Sequence, residues 1–184
     1  MGTRDQLFPR LIACLMFALA ALTSAPVVFA QATASGDASA VTITPFSIAN
    51  TEDLDFGNII AGTTAGTVFV NTANGAVSST GGAVMAGGSP SRANFIILGD
   101  FRQIVEIELP GGASMAVTHT NGTDSMIVDR MALGNSNRNF GTFVRARLGT
   151  TNIINITVGG RLNVGANQQS GTYSGTFDMT INYF

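Results

Sequence analysis

His119 is the only histidine in the 184 residues and lies in Val117-Thr-His-Thr-Asn-Gly122, just before a turn signal. One imidazole without a companion cysteine does not make a usual zinc set. Asp100, Asp124 and many serines supply the other members of a Ser-His-Asp relay, but no Gly-x-Ser-x-Gly elbow presents a nucleophile. His119 therefore reads as a solvated loop-edge residue. Paired carboxylates such as Glu52-Asp53-x-Asp55 can do acid–base work or bind calcium. On an extended chain Asp53 and Asp55 share one face and Leu54 and Phe56 the other, which reads as a solvated outer face. Glu106 and Glu108 alternate with Val105, Ile107 and Leu109 in the same way. Arg145 and Arg147 point to one face of a strand, with Arg138 nearby. They can bind an acidic glycan, but a solubilising face is the simpler reading. Gly81-Gly82 and Gly159-Gly160 lack the Lys-Ser/Thr and the helix that phosphate cradling needs. The residues predict no enzyme, no metal and no cofactor.

The chemistry left is that of backbone pairing. From Gly171 to Phe184 the odd positions read Gly171, Tyr173, Gly175, Phe177, Met179, Ile181 and Tyr183. The even positions are Thr, Ser, Asp or Asn up to Phe184. Period two gives a strand with one apolar and one polar face, which must lie over a core. A neighbour missing on one side leaves its edge open to another chain, which adds as a strand through main-chain hydrogen bonds. Gly171, Tyr173, Phe177, Met179, Ile181 and Tyr183 are the candidate partner-strand residues. The alternative is a final strand closing an ordinary sandwich.

The elements that position this strand are themselves β. Charged residues are only 11% of the chain, glycine numbers 22, and Ser, Thr and Asn fill the polar positions. That composition suits strands and turns and is poor for helices. Strands are expected over Val41–Ile48, Leu54–Ile60, Gly66–Val70, Asn94–Leu98, Gln103–Leu109, Met115–Thr118, Met126–Leu133, Thr142–Leu148, Ile153–Val158 and Arg161–Val164. Gly159-Gly160 is expected to interrupt the last two, and Gly75–Gly88 to be mostly loop with a short strand at Ala83–Met85. The spacing predicts an all-β domain over 45–184, a sandwich or a barrel; the resemblance of the Gly171–Phe184 segment to pilus subunits implies an immunoglobulin-like (pilin-like) sandwich of about seven to ten antiparallel strands.

Ahead of it, Arg4 and Arg10 precede an apolar run, Leu11–Leu22, and Val28-Phe-Ala30 offers small residues for cleavage. This is the pattern of a signal peptide over residues 1–30, too short for a membrane span. The only cysteine, Cys14, falls inside it, so the exported chain is cysteine-free. There is no lysine and no basic patch, so no nucleic-acid partner is expected, and no second apolar run is long enough for a membrane helix. Residues 31–44 carry few large side chains and read as a flexible extension. Within it Ala38, Ala40, Val41 and Ile43 are the candidate donor-strand residues.

The terminal segment resembles the subunits of chaperone–usher pili. Tyr183 is penultimate, Ile181, Met179 and Phe177 alternate before it, and Gly171 is fourteenth from the end. The resemblance implies a periplasmic chaperone, an outer-membrane usher, and copies of itself or related subunits as partners, each donating its N-terminal extension to the next. The stretch from about 41 to 184 also resembles domain-of-unknown-function family 4402. The residues that carry this are Ile43-Thr-Pro-Phe-Ser-Ile-Ala-Asn50, Leu54-Asp-Phe-Gly57, Ala65-Gly-Thr-Val68, Val158-Gly-Gly-Arg-Leu-Asn-Val164 and Gly171-Thr-Tyr-Ser-Gly-Thr-Phe177. The expected role is an exported pilus- or fimbria-like subunit on the cell surface. The alternative is a self-contained secreted module, for instance one recognising surface polysaccharide.

Overall fold

A computed structural model describes Ala40, Thr42 and residues 45–184 except Pro110, Gly112 and Asn137. The described residues form twelve strands and no helix. They are β1 (Ser47–Glu52), β2 (Ile59–Val70), β3 (Val77–Met85), β4 (Ala93–Leu98), β5 (Ile104–Glu108) and β6 (Met115–His119), followed by β7 (Ser125–Asn135), β8 (Arg138–Gly141), β9 (Phe143–Arg147), β10 (Ile153–Val164), β11 (Tyr173–Ser174) and β12 (Thr180–Tyr183). All pairing is antiparallel, and the sheets curl into a half-barrel. The all-β expectation holds.

The larger sheet runs β1-β4-β10-β7-β6-β11, with the β2–β3 hairpin joined to β10 and β8 joined to β7. The smaller runs β12-β5-β9. Inward residues of both meet in one core, where Ile97, Ile107, Leu133 and Ile156 are at most 1% exposed. Each such side chain contributes roughly 1.5–3 kcal/mol by leaving water.

Several boundaries differ from the sequence reading. β10 runs unbroken through Gly159-Gly160, because β2, β4 and β7 hold its backbone on both sides. β3 is a nine-residue strand where a loop was expected. Among the described residues it is an edge strand paired only with β2, so it needs few large side chains. Leu54 to Asn58 is not a ladder strand; Asp55 makes one isolated bridge to Ser91, and its carboxylate accepts from Gly57 N at 2.7 Å. The alternation still holds there, with Leu54 and Phe56 half-buried and Asp53 and Asp55 exposed.

β7 carries a bulge. Between the pairs Ala132–Gly159 and Asp129–Arg161 it has one residue more than β10, and Arg130 takes φ 50°. The extra residue turns both Val128 and Met131 inward. It also sets Asp129 opposite Arg161, which donates to it from Nε at 2.8 Å and Nη2 at 2.6 Å. This fork holds the Asp129 carboxyl below its ordinary range, against a smaller opposing effect of partial burial. Because the folded value is the lower one, the stabilisation is complete above the unfolded carboxylate value of about 3.9 and fades as pH falls through the folded value. Arg161→Gln is therefore expected to lower Tm at neutral pH. The gap to the parent should narrow below about pH 4, and thermal melts across that range check it.

The two sheets are continuous round one corner. β4 crosses it through Gly99–Gln103 to become β5, and β9 crosses beside it through Leu148–Asn152 to become β10. Backbone bonds tie the two crossings, Leu148 N to Gln103 O at 2.8 Å and Gly99 N to Asn152 O at 3.2 Å. On the other side of β4–β5 the neighbouring row is made by two separate segments. β12 runs along β5 towards the corner, ending with Tyr183 opposite Val105 and Phe184 N on Ile104 O at 3.1 Å. β1 starts at the same corner, with Ser47 opposite Leu98, and runs on along β4.

Candidate functional site: the open margin

The segment expected to be one strand from Gly171 to Phe184 is two. Tyr173 and Ser174 pair with His119 and Thr118 at the far edge of the larger sheet. The chain then crosses to the smaller sheet, where Thr180 to Tyr183 pair with Glu108 to Val105. One strand does not serve both, since the two sheets diverge at this end of the half-barrel. The predicted alternation survives the split. Tyr173, Phe177, Met179 and Ile181 are half-buried, and their even-numbered neighbours are exposed. Phe177 meets Phe95 of β4 edge-to-face, centroids 6.0 Å apart, so the crossing packs on the opposite layer.

Gly171 and Tyr173 anchor the start of the segment to β6. Gly171 has φ +146°, and a Cβ there would lie 1.9 Å from His119 Nε2, so glycine lets the backbone approach the tip of the ring. Tyr173 packs edge-on against the same imidazole at 4.9 Å, and its hydroxyl donates to Gln169 O at 2.7 Å while accepting from Gln168 Nε2 at 2.9 Å.

Met179, Ile181 and Tyr183 reach the other end. Tyr183 stacks on Phe46, the residue before β1, with centroids 3.8 Å apart. That contact joins β12 and β1 end to end, both running the same way, so their outer sides make one composite edge. Among the described residues β12 pairs only with β5 and β1 only with β4. Large apolar side chains are partly exposed along it. Ile48, opposite the fully buried Ile97 and on the same side of the sheet, is 45% exposed, and Tyr183 is 38% exposed. An edge with apolar side chains at its rim offers both backbone pairing and pockets to an added strand. The far half of β1 is guarded: its register shifts between Asn50 and Glu52, and Glu52 and Asp53 bring carboxylates to the end. The receptive stretch is β12 together with Ser47 to Asn50.

Of the candidate donor residues, Ala38, Val41 and Ile43 lie outside the described residues, and Ala40 is exposed and in no strand. Phe46 and Ile48 were not singled out from sequence. Their signal was present, since Phe46 and Ile48 alternate with Ser47 and Ala49.

The remaining polar groups are occupied structurally. Glu52 accepts from Asn94 Nδ2, and Asp53 from Asn50 Nδ2 at 2.5 Å. Arg145 pairs with Glu106 at 2.5 Å and lies 3.6 Å over the Phe184 ring, while Arg147 Nε donates to Arg102 O at 3.3 Å. Among the described residues no three His, Cys, Asp or Glu side chains cluster as metal ligands. A shallow concavity over Thr67, Thr80, Ile127, Asn163 and Gln168 has its polar groups engaged: Thr67 with Thr80, Asn163 with Ile127 O, and Gln168 with Gly165 N and Tyr173. No helix among the described residues is long and apolar enough to cross a membrane.

No curated protein and no solved structure matches this chain. The family described as Domain of unknown function (DUF4402) matches residues 46–183, from the Phe46 ring to the Tyr183 ring stacked on it, and the chain belongs to that family.

Proposed function

We propose that the protein is a non-enzymatic, exported surface protein that assembles by β-strand complementation, as a pilus- or fimbria-like subunit. The observation that carries this reading is the composite edge of β12 and β1, with Ile48 and Tyr183 exposed on it. Residues 1–30 act as the signal peptide. Residues 31–44, with Val41 and Ile43 as their larger apolar side chains, are the strand given to a neighbouring copy or related subunit. A periplasmic chaperone would cover the edge before assembly and an outer-membrane usher would pass the subunit out. The immunoglobulin-like arrangement expected from the sequence belongs with this reading.

The guard at the end of β1 favours a second reading, a self-contained secreted binding module whose edge is kept from pairing. Size-exclusion of the chain with and without residues 31–44 separates the two. Strand donation predicts polymers that vanish on deletion while the thermal stability of the monomer stays nearly unchanged. Polymers that survive the deletion contradict it, and a monomer in both cases leaves the second reading.

A further inference from the structure

We infer that His119 is the clasp that positions the terminal segment, in the tautomer with its proton on Nε2, and that protonation of Nδ1 releases the turn after β6 from it. His119 is the last residue of β6, half-buried, and both ring nitrogens are in use. Asn121 N donates to Nδ1 at 2.9 Å, so Nδ1 is an acceptor and carries no proton. Nε2 is 3.0 Å from Ser170 O, a carbonyl that can only accept, so Nε2 carries the proton and donates. The two contacts fix the tautomer independently and agree.

The ring couples three stretches of chain. Through Nδ1 it braces the turn after β6, and through Nε2 it holds the residue before Gly171. Its Nε2 tip lies against Gly171, and the ring makes a T-shaped contact with Tyr173. Thr120 N, next to it, donates to Thr172 O at 3.0 Å. The start of the segment that crosses to β12 is thus seated by one side chain and its neighbour.

A second ring proton would face Nδ1–H against Asn121 N–H, two donors with no acceptor between them. The brace on the turn is then lost while the Nε2 bond persists. The charged group on that turn is Asp124, whose backbone oxygen takes His119 N at 2.8 Å and whose carboxylate takes Asn121 Nδ2 at 2.8 Å. On the other side of the ring are Tyr173, which packs against it, and the uncharged Ser170, whose carbonyl faces Nε2. Histidine is the side chain that ordinarily changes charge between pH 5 and 8, whereas carboxylates change lower.

The clasp rests on the fold alone; its effect on assembly rests on the strand-complementation reading. With one histidine in the chain, imidazole nitrogen spectra of the full protein report this ring without ambiguity. The expected result at neutral pH is an unprotonated Nδ1 and a protonated Nε2. As the ring takes up its second proton, followed in the same imidazole spectra, amide exchange at Asn121, corrected for intrinsic exchange, should rise about tenfold over that in β6. His119→Phe keeps a ring against Gly171 and Tyr173 without the titration, and its exchange should be pH-insensitive. His119→Gln gives the same readout if the phenylalanine variant does not fold. An Nδ1–H tautomer, or an acid response that survives in either variant, would overturn the clasp. Polymer yield is measured on the same samples. A clasp that responds while no polymer forms at any pH sinks the assembly reading alone.

Discussion

Gly159→Ala is expected to destabilise the fold by about 3 kcal/mol or more, while Gly160→Ala, one residue along, costs about 1 kcal/mol or less. Neither glycine is needed for an unusual backbone angle; both lie in β10. They face opposite sides of the sheet and meet different neighbours. A Cβ on Gly159 would stand 2.4 Å from Val70 O and 2.7 Å from both Thr72 N and Thr72 Oγ1. Two of the three are backbone atoms, and they are held in place. Thr72 is 2% exposed, and its oxygen accepts from Thr157 Oγ1 at 2.8 Å and Arg92 Nη1 at 2.9 Å. The chain leaving β2 crosses β10 here, and relief would mean breaking these bonds inside a buried seam. A Cβ on Gly160 instead meets Met131 Cγ and Val128 Cγ1 at 3.1 Å. Those are side-chain atoms with room to adjust, and alanine also lowers the entropy of the unfolded chain by about 0.4–1 kcal/mol. Denaturant melts of the two variants check the contrast. Equal losses would mean that the seam at Thr72 yields more easily than its hydrogen bonds indicate.

The same seam shows why part of this fold was legible in the sequence and part was not. β5, β6 and β7 were found because each carries apolar residues that pack one face inward, and such packing leaves a pattern, whereas β4 was found as the continuous apolar run Phe95–Leu98. The apolar-in alternation of Phe177, Met179 and Ile181 was legible for the same reason. Gly159-Gly160 read as a break because glycine is poor in an isolated strand. Its use here is a close approach by a segment about ninety residues earlier in the chain, about which the local sequence is silent. β3 was hidden for the opposite reason: as an edge strand it needs a partner's backbone more than a core, and Ser78, Ser79 and Thr80 supply backbone alone.

At the candidate site, the one-sided character of the terminal segment was readable, but its division between two sheets was not. Period two fixes which way a side chain points, not which neighbour its backbone finds. The joining of β12 to β1 depends on Phe46 meeting Tyr183, residues 137 positions apart in sequence whose contact no periodicity encodes. His119 read as bland because a lone imidazole lacks ligands and relay partners. Its partners are backbone atoms of Asn121 and Ser170, which any residue type provides.

Ile107→Ala is expected to cost about 2–5 kcal/mol, and to loosen β12 beyond that global loss. Ile107 is fully buried at the middle of β5, with Ile181 of β12 opposite on one side and Val144 of β9 on the other. All three point inward, so the smaller sheet rests on this row. Truncation removes the transfer energy of the lost carbons and leaves a cavity that a three-stranded sheet fills only in part. For a chain of this size each kcal/mol lowers Tm by about 2–4 °C, so a fall of roughly 4–20 °C should be seen. β12 suffers most because it is four residues long, has one described pairing partner and owes its seat to Ile181 on Ile107. Amide exchange in Thr180 to Tyr183 should therefore rise more than in β10, which has neighbours on both sides. Under the strand-complementation reading an added strand would restore β12, because it supplies the second backbone neighbour. Protection regained on addition of a peptide of residues 31–44 supports a receptive edge. A variant whose β12 stays loose at saturating peptide would show that the margin accepts no strand.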